Sequence, residues 1–216
     1  LEKVSLINSA VTSSSIAVLA KAVSKSHHKM KIFAFCEQTE VGDAGFAALS
    51  ETLRKFHHLN ELYITECQMT DAGAKHIAEA LGYMPTLKKL HLNNNNIGNN
   101  GCKNLALALK SNKNLLELKL NHNKIGDEGA SALAEAMATS MENLQEVYLE
   151  HNSIADSGSI ALALGVQHCL AVRIFNIYKN FIADAGAVAL IEASKHLPTL
   201  TSLCMHSNCV TNAVKE

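Results

Sequence analysis

One apolar frame recurs along the chain: an apolar residue, two variable positions, an apolar-x-apolar pair, two more variable positions, an Asn and, two residues on, Ile or Val. Leu87, Leu90, Leu92, Asn95 and Ile97 fit it, as do Leu115, Leu118, Leu120, Asn123 and Ile125. Leu144, Val147, Leu149, Asn152 and Ile154 follow, then Val172, Phe175, Ile177, Asn180 and Ile182, and Leu200, Leu203, Met205, Asn208 and Val210. Upstream, Leu59, Leu62, Ile64, Cys67 and Met69 continue the series. Met30, Phe33, Phe35 and Gln38 join with a one-residue slip before Val41, and Leu1, Val4, Leu6, Ser9 and Val11 begin it. The starts at 1, 30, 59, 87, 115, 144, 172 and 200 are 28 or 29 residues apart throughout, a period characteristic of stacked repeats.

Each unit predicts a short strand followed by a helix. The apolar-x-apolar pair alternates with polar residues at period two, so one strand face is buried and the other solvated. Four residues past the Asn position come Asp71, Asp127, Asp156 and Asp184, with Asn99 in the same place and Asp43 in the shifted one. These are expected to be helix N-caps. Gly73, Gly101, Gly129, Gly158 and Gly186 are expected as small turn residues before helices such as Ala-Ser-Ala-Leu133-Ala-Glu-Ala-Met137. The amide of Asn95, and of Asn123, Asn152, Asn180 and Asn208, is expected to be buried and to satisfy backbone groups in the turn that leaves the strand. Ser9 and Ser15 depart from the frame and make the first unit edge-like or divergent. No unit can bury its apolar face alone, so the copies must stack.

The 28/29-residue alternation, the Ile125-Gly-Asp-Glu-Gly-Ala130 helix start and the Ala132-Leu-Ala-Glu-Ala136 core resemble the ribonuclease-inhibitor-like class of leucine-rich repeats, over essentially all of residues 1–216. That resemblance implies an α/β solenoid, a horseshoe of about eight repeats with a parallel sheet on its concave face and helices on its convex face. It implies protein binding without catalysis, as in the sensing or autoinhibitory C-terminal regions of NOD-like receptors and innate immunity. A different class of function, regulation of an enzyme in trans, is implied by ribonuclease inhibitor and by the activator of the small GTPase Ran. Host-directed bacterial effectors use the same repeats. The Ran activator fits poorly, because the chain has only Arg54 and Arg173 and no strongly acidic tail. Tropomodulin-like actin binding lacks a helix outside the repeats to support it.

Composition narrows the field without naming a partner. Hydrophobic residues make up 48% of the chain, enough for a real core, and 19 basic against 20 acidic residues leave a formal charge of -1. With two arginines and no basic excess, nucleic acid is not an expected partner. Apolar runs are broken by charges well short of the roughly 18 residues a transmembrane helix needs, so no membrane partner is expected. Cys36, Cys67, Cys102, Cys169, Cys204 and Cys209 are scattered without paired spacing, which suits reduced thiols and a cytoplasmic protein. The chain opens at Leu1, and it is expected to be a single repeat domain cut from a longer protein, with apolar ends prone to end-to-end association.

No nucleophile, base and orienting group stand out from the repeat pattern, so the chain is read as non-catalytic, without cofactor or metal. His27, His28, His57, His58, His168 and His196 fall between a helix end and the next strand, where imidazole suits the negative helix terminus. His122 and His151 share a column of adjacent repeats beside Glu150, but two or three ligands make an incomplete zinc set.

The polar positions flanking each core pair, such as Glu61, Tyr63 and Thr65 or Glu117, Lys119 and Asn121, point to the concave face. Three of the four tyrosines, Tyr63, Tyr148 and Tyr178, fall there, and tyrosine favours interface anchoring. Between and beyond them lie Lys89, His91, Asn93, Glu117, Lys119, Glu146 and Glu150. These ten residues form the expected protein-binding strip, its Glu146–Tyr178 end suited to a basic and aromatic partner. Tyr63 and Tyr148, three strands apart at about 15 Å, suit a protein surface better than a small pocket.

Overall fold

The computed structural model describes residues 1–9, 11–23 and 28–211, and in it the frame becomes alternating strands and helices. In chain order these are β1 (Lys3–Ile7), α1 (Ser13–Val23), β2 (Ile32–Cys36), α2 (Gly42–Leu53), β3 (Glu61–Thr65), α3 (Asp71–Leu81), β4 (Lys89–His91) and α4 (Asn99–Leu109). They continue with β5 (Glu117–Lys119), α5 (Asp127–Ser140), β6 (Glu146–Tyr148), α6 (Asp156–Val166), β7 (Ile174–Asn176), α7 (Asp184–Ser194) and β8 (Ser202–Cys204). The eight strands form one parallel sheet in sequence order, and each helix packs on the next. The architecture is the expected repeat solenoid, with the helices on the face opposite the solvated side of the sheet.

The register follows from the frame. Leu62, Leu90, Leu118, Val147, Phe175 and Leu203 are successive Cα partners across β3 to β8. All but Leu203 are essentially inaccessible, at 0–1% exposure, so a single row of side chains threads the core. At the two ends of the described sheet the core side chains are only half-buried, at Val4 and Leu6 of β1, at Leu203 of β8 and at Met205 just after it. Ser9, at the Asn position of the first unit, makes a local bond to the Ile7 carbonyl and, among the described residues, none of the bridges that the Asn column makes.

The Asn column does more than stabilise its own turn. Asn123 Nδ2 donates to the Leu120 carbonyl of its own repeat and to the Leu92 carbonyl of the preceding one, both at 3.0 Å, while its Oδ1 accepts from the Ile97 N–H at 3.0 Å. Asn95, Asn152, Asn180 and Asn208 repeat this two-way bridge. Gln38 takes the position in the second repeat, its Oε1 accepting from the Val11 N–H at 3.0 Å. In the third, the Cys67 thiol donates to the Phe35 and Thr65 carbonyls at 3.3 and 3.1 Å. Burial holds that thiol protonated, its pKa pushed up to about 12.

The acids do not cap their own helices. Asp71, Asn99, Asp127, Asp156 and Asp184 are the first helical residues, and the caps are the residues before them. Their carboxyl or amide oxygens instead accept from the helix start of the following repeat. Asp71 takes the Gly98 N–H at 2.6 Å, Asn99 the Gly126 and Gly129 N–H groups at 2.7 and 3.1 Å, and Asp156 the Ala183 and Gly186 N–H groups at 2.8 and 2.9 Å. Asp43 serves Gly73 at 2.9 Å, Asp127 serves Ala155 at 2.7 Å and Asp184 serves Thr211 at 2.8 Å. The recurrent glycine is accordingly the third helical residue, not a turn residue. A Cβ on Gly158 would lie 2.6 Å from Asp127 Oδ1 and 2.9 Å from the Asp127 Cα, so only hydrogen fits where the donated cap arrives.

Asn123→Ala is expected to lower the unfolding free energy by about 2–4 kcal/mol, because it leaves the buried Ile97 N–H and two carbonyls without their partner. Urea unfolding monitored by circular dichroism measures this, and a loss under about 0.5 kcal/mol, the scale of an ordinary surface substitution, would contradict the bridging role.

Candidate functional site

The parallel register turns sequence spacing into columns. Glu61, Lys89, Glu117 and Glu146 are neighbours across β3 to β6, and beside them run Tyr63, His91, Lys119 and Tyr148. A third column lies just beyond the short strands, where backbone pairing continues through bonds such as Asn94 N–H to the Asn121 carbonyl at 3.0 Å and His122 N–H to the Glu150 carbonyl at 2.9 Å. Asn93, Asn121, Glu150 and Tyr178 belong to it. All ten expected residues therefore lie on the solvated face, each partly exposed.

They do not act as one uniform strip. The central group is built on Glu117, whose carboxylate faces Lys119 Nζ at 2.9 Å, His91 Nε2 at 3.0 Å and Lys89 Nζ at 3.5 Å. Burial alone would raise the Glu117 pKa, but the Lys119 hydrogen bond and the surrounding positive charge outweigh it and hold the carboxyl below its ordinary range. For His91 burial wins over the attraction of Glu117, so its pKa falls below 6.5 and the ring is neutral near pH 7. Facing an acceptor-only carboxylate, Nε2 carries the hydrogen of that neutral ring. Near neutral pH the charge beside Glu117 is thus that of the lysines, and His91 adds to it once protonated.

The tyrosines are anchored in the same way. Tyr63 Oη donates to Glu61 at 2.6 Å and Tyr148 Oη donates to Glu146 at 2.9 Å. Burial, aided by these carboxylates, pushes the Tyr148 pKa up to about 12 and that of Tyr63 higher still. The His91 ring stands edge-on to Tyr63 with centroids 4.6 Å apart, and Lys119 Nζ lies 4.7 Å from the centroid of Tyr148.

Tyr63 and Tyr148, expected to mark a broad surface, both border one open depression of about 430 Å³. His91, Asn93, Lys119 and Glu150 line it with them, and so do Cys36, Thr65 and Asn121. Asn121 was legible only as one of many concave positions; nothing in its neighbourhood in sequence sets it apart. Lys89, Glu117 and Glu146 sit in the adjoining column and brace the lining rather than form it.

Tyr178 stands apart from the depression, in an aromatic row at the exit of the strands. His122 and His151 stack with centroids 3.8 Å apart, His151 Nε2 is 2.8 Å from Tyr178 Oη, and Tyr178 stacks on His206 at 4.7 Å. His122 and His151 occupy the position after the strand where φ is positive, 53° and 55°, as it is in Asn8, Glu37, Glu66, Asn94, Lys179 and Ser207. Among the described residues no group of three His, Cys, Asp or Glu side chains gathers around a metal position. The expected connecting histidines His28, His57, His58, His168 and His196 lie between helix and strand, with His57 Nδ1 3.2 Å from the Tyr83 carbonyl, while His27 lies outside the described residues.

Comparison with known proteins agrees with this architecture. The leucine rich repeat family model matches residues 57–78, 83–106, 111–134 and 140–163. No curated protein matches the chain. A similar solved structure is that of the Arabidopsis receptor kinase HAESA in complex with the peptide hormone IDA and the co-receptor SERK1, at a TM-score of 0.53 and 15% identity, covering 85% of this chain and 30% of that one. The fold is a leucine-rich repeat solenoid, and the four matched stretches lie within it. This chain spans under a third of the receptor it resembles, and the likeness is one of fold.

Because burial depresses the His91 pKa, the neutral ring favours the native state, and that contribution is lost as pH falls through and below the ordinary histidine value of 6.5. Glu117→Gln removes the one carboxylate that opposes the shift, so His91 is expected to titrate lower still. Its ring proton shift followed against pH by NMR reads this directly, and an upward move in the variant would contradict the arrangement.

Proposed function

We propose that the chain is a non-catalytic interaction module that binds a partner protein on its concave sheet face. The observation that carries this reading is the depression between Tyr63 and Tyr148, rimmed by paired charges and continued by the aromatic row at Tyr178. Aromatic anchors held rigid by carboxylates lose little entropy on binding, and their apolar rings remain available for contact. At the centre of the strip the acid and base groups are committed to one another in the Glu117 cluster, an arrangement that suits recognition better than proton transfer. The same architecture in the HAESA structure accompanies a peptide hormone and a co-receptor, and an extended segment would lie naturally along this face.

Within that reading we favour the sensing or autoinhibitory region of a cytoplasmic NOD-like receptor, on the resemblance of the repeats to the ribonuclease-inhibitor-like class. The unpaired, buried thiols of Cys102 and Cys169, each with its pKa pushed up to about 12 by burial, are compatible with a reducing compartment. Regulation of an enzyme in trans is the second reading, favoured by the same concave charges, since an inhibitor can cover an active site through such a face.

Combined Tyr63→Ala, Tyr148→Ala and Tyr178→Ala substitution is expected to weaken binding to an identified partner by at least about 1000-fold, on the scale of two lost hot-spot residues of about 2 kcal/mol each. Calorimetric titration measures it, with circular dichroism as the control for folding; unchanged affinity would place the interface elsewhere. The half-buried apolar rows at β1 and β8 should also draw copies together end to end. Sedimentation velocity over rising protein concentration is expected to show a growing dimer boundary, and a single monomer boundary throughout would reject this association.

A further inference from the structure

The lining of the concave depression is unbalanced in its hydrogen bonding. Its prominent donors are already engaged: Tyr63 Oη with Glu61, Tyr148 Oη with Glu146, and His91 Nε2 and Lys119 Nζ with Glu117, all at 2.6–3.0 Å. Two of its acceptors are not. Glu150 Oε2 and Asn121 Oδ1 are both inaccessible to solvent at the atom level and have no hydrogen-bond partner. They belong to lining residues that are consecutive in the third column, joined through the ladder on adjacent repeats and so about 5 Å apart at the backbone. A buried, unpartnered carboxylate oxygen is costly, and a ligand that donates to it recovers that cost on binding.

Charge points the same way. Glu61, Glu117, Glu146 and Glu150 face the depression or brace its walls against Lys89 and Lys119, four carboxylates to two ammonium groups. Both lysines lie within 3.5 Å of Glu117, so Glu61, Glu146 and Glu150 have no ion-pair partner among the described residues, and of these Glu150 is the one that lines the depression.

We propose that the depression is a receptor for an arginine side chain of the partner, whose guanidinium enters beside Tyr148 and, as the Glu150 and Asn121 side chains turn toward it, donates to Glu150 Oε2 and Asn121 Oδ1, atoms that are covered in the free protein. This rests on the concave-face reading above and specifies the chemistry of its occupant. Guanidinium suits the site better than ammonium because its five N–H groups lie in one plane and can reach two acceptors at once, because its flat face can lie against an aromatic ring, and because it sheds water more readily.

The test is an NMR titration of the full chain with the pentapeptide acetyl-Gly-Gly-Arg-Gly-Gly-amide and with its citrulline twin, which keeps the shape and loses the charge. Saturable shifts at the backbone amides of Asn121, His122, Glu150 and His151 are expected with arginine, with citrulline at least about tenfold weaker, a difference of about 1.4 kcal/mol. Glu150→Gln, nearly isosteric, is expected to cost the arginine peptide a similar factor while amide dispersion elsewhere stays unchanged. Equal binding of the two peptides, undiminished arginine binding to Glu150→Gln, or no saturable shift at these amides would each overturn the proposal. For an identified partner, binding that survives Glu150→Gln but is lost in the triple tyrosine variant rejects the arginine receptor and keeps the concave face. Binding that survives both rejects the two together.

Discussion

The structure depends on a side-chain amide that faces two repeats at once. At each exit from the sheet the backbone turns sharply and leaves N–H and C=O groups inside the molecule, where an unmet polar group is costly. Asn95, Asn123, Asn152, Asn180 and Asn208 meet those groups on their own turn and on the turn before it. The apolar row of Leu90, Leu118 and Val147 supplies burial, but burial is nondirectional and would tolerate a slip between units. The amide bridges do not, since a slip of one residue would break donors and acceptors together. Register is thereby fixed, and register is what aligns Tyr63, His91, Lys119 and Tyr148 into a wall.

The same turn sets the character of the candidate site. Residues after each strand take a left-handed backbone conformation that costs a non-glycine residue roughly 1–2 kcal/mol, yet at eight such turns it is met by Asn, Glu, His, Lys or Ser. Their side chains remain at the sheet's rim, where His122 stacks on His151 and His151 meets Tyr178. The rim therefore carries chemistry that glycine would have erased. Deeper on the face, Glu117 gathers Lys89, His91 and Lys119 into one cluster and leaves Glu150 without an equivalent partner. Site and scaffold are made from the same few backbone positions.

Much of this was legible in sequence because the period is rigid. Once Leu87, Leu90, Leu92, Asn95 and Ile97 are aligned with their copies, strand, buried face and concave face follow from side-chain alternation alone, and all ten expected site residues fall on the expected face. What escaped were contacts whose partners lie about one repeat away. Asp71 looks like the cap of the helix it begins, yet it serves Gly98, because stacking brings the next helix start closer to its carboxylate than its own. Gly158 looks like a turn and is a gap kept open for Asp127. Asn121 looks like one polar residue among many, and its open acceptor appears only when neighbouring donors can be traced to Glu61, Glu117 and Glu146. Alternation reports which way a side chain points; it is silent on what that side chain has already bonded.

The forward-facing Asp and the backward-facing Asn together give the chain a grammar. Each interior unit donates a cap to its successor and a turn bridge to its predecessor, and receives one of each in return. Duplicating or excising one whole unit leaves every such exchange complete, whereas cutting within a unit orphans both kinds. Growth in whole-period steps can thus lengthen the concave face while its lining changes freely, so recognition can diversify without renegotiating the scaffold.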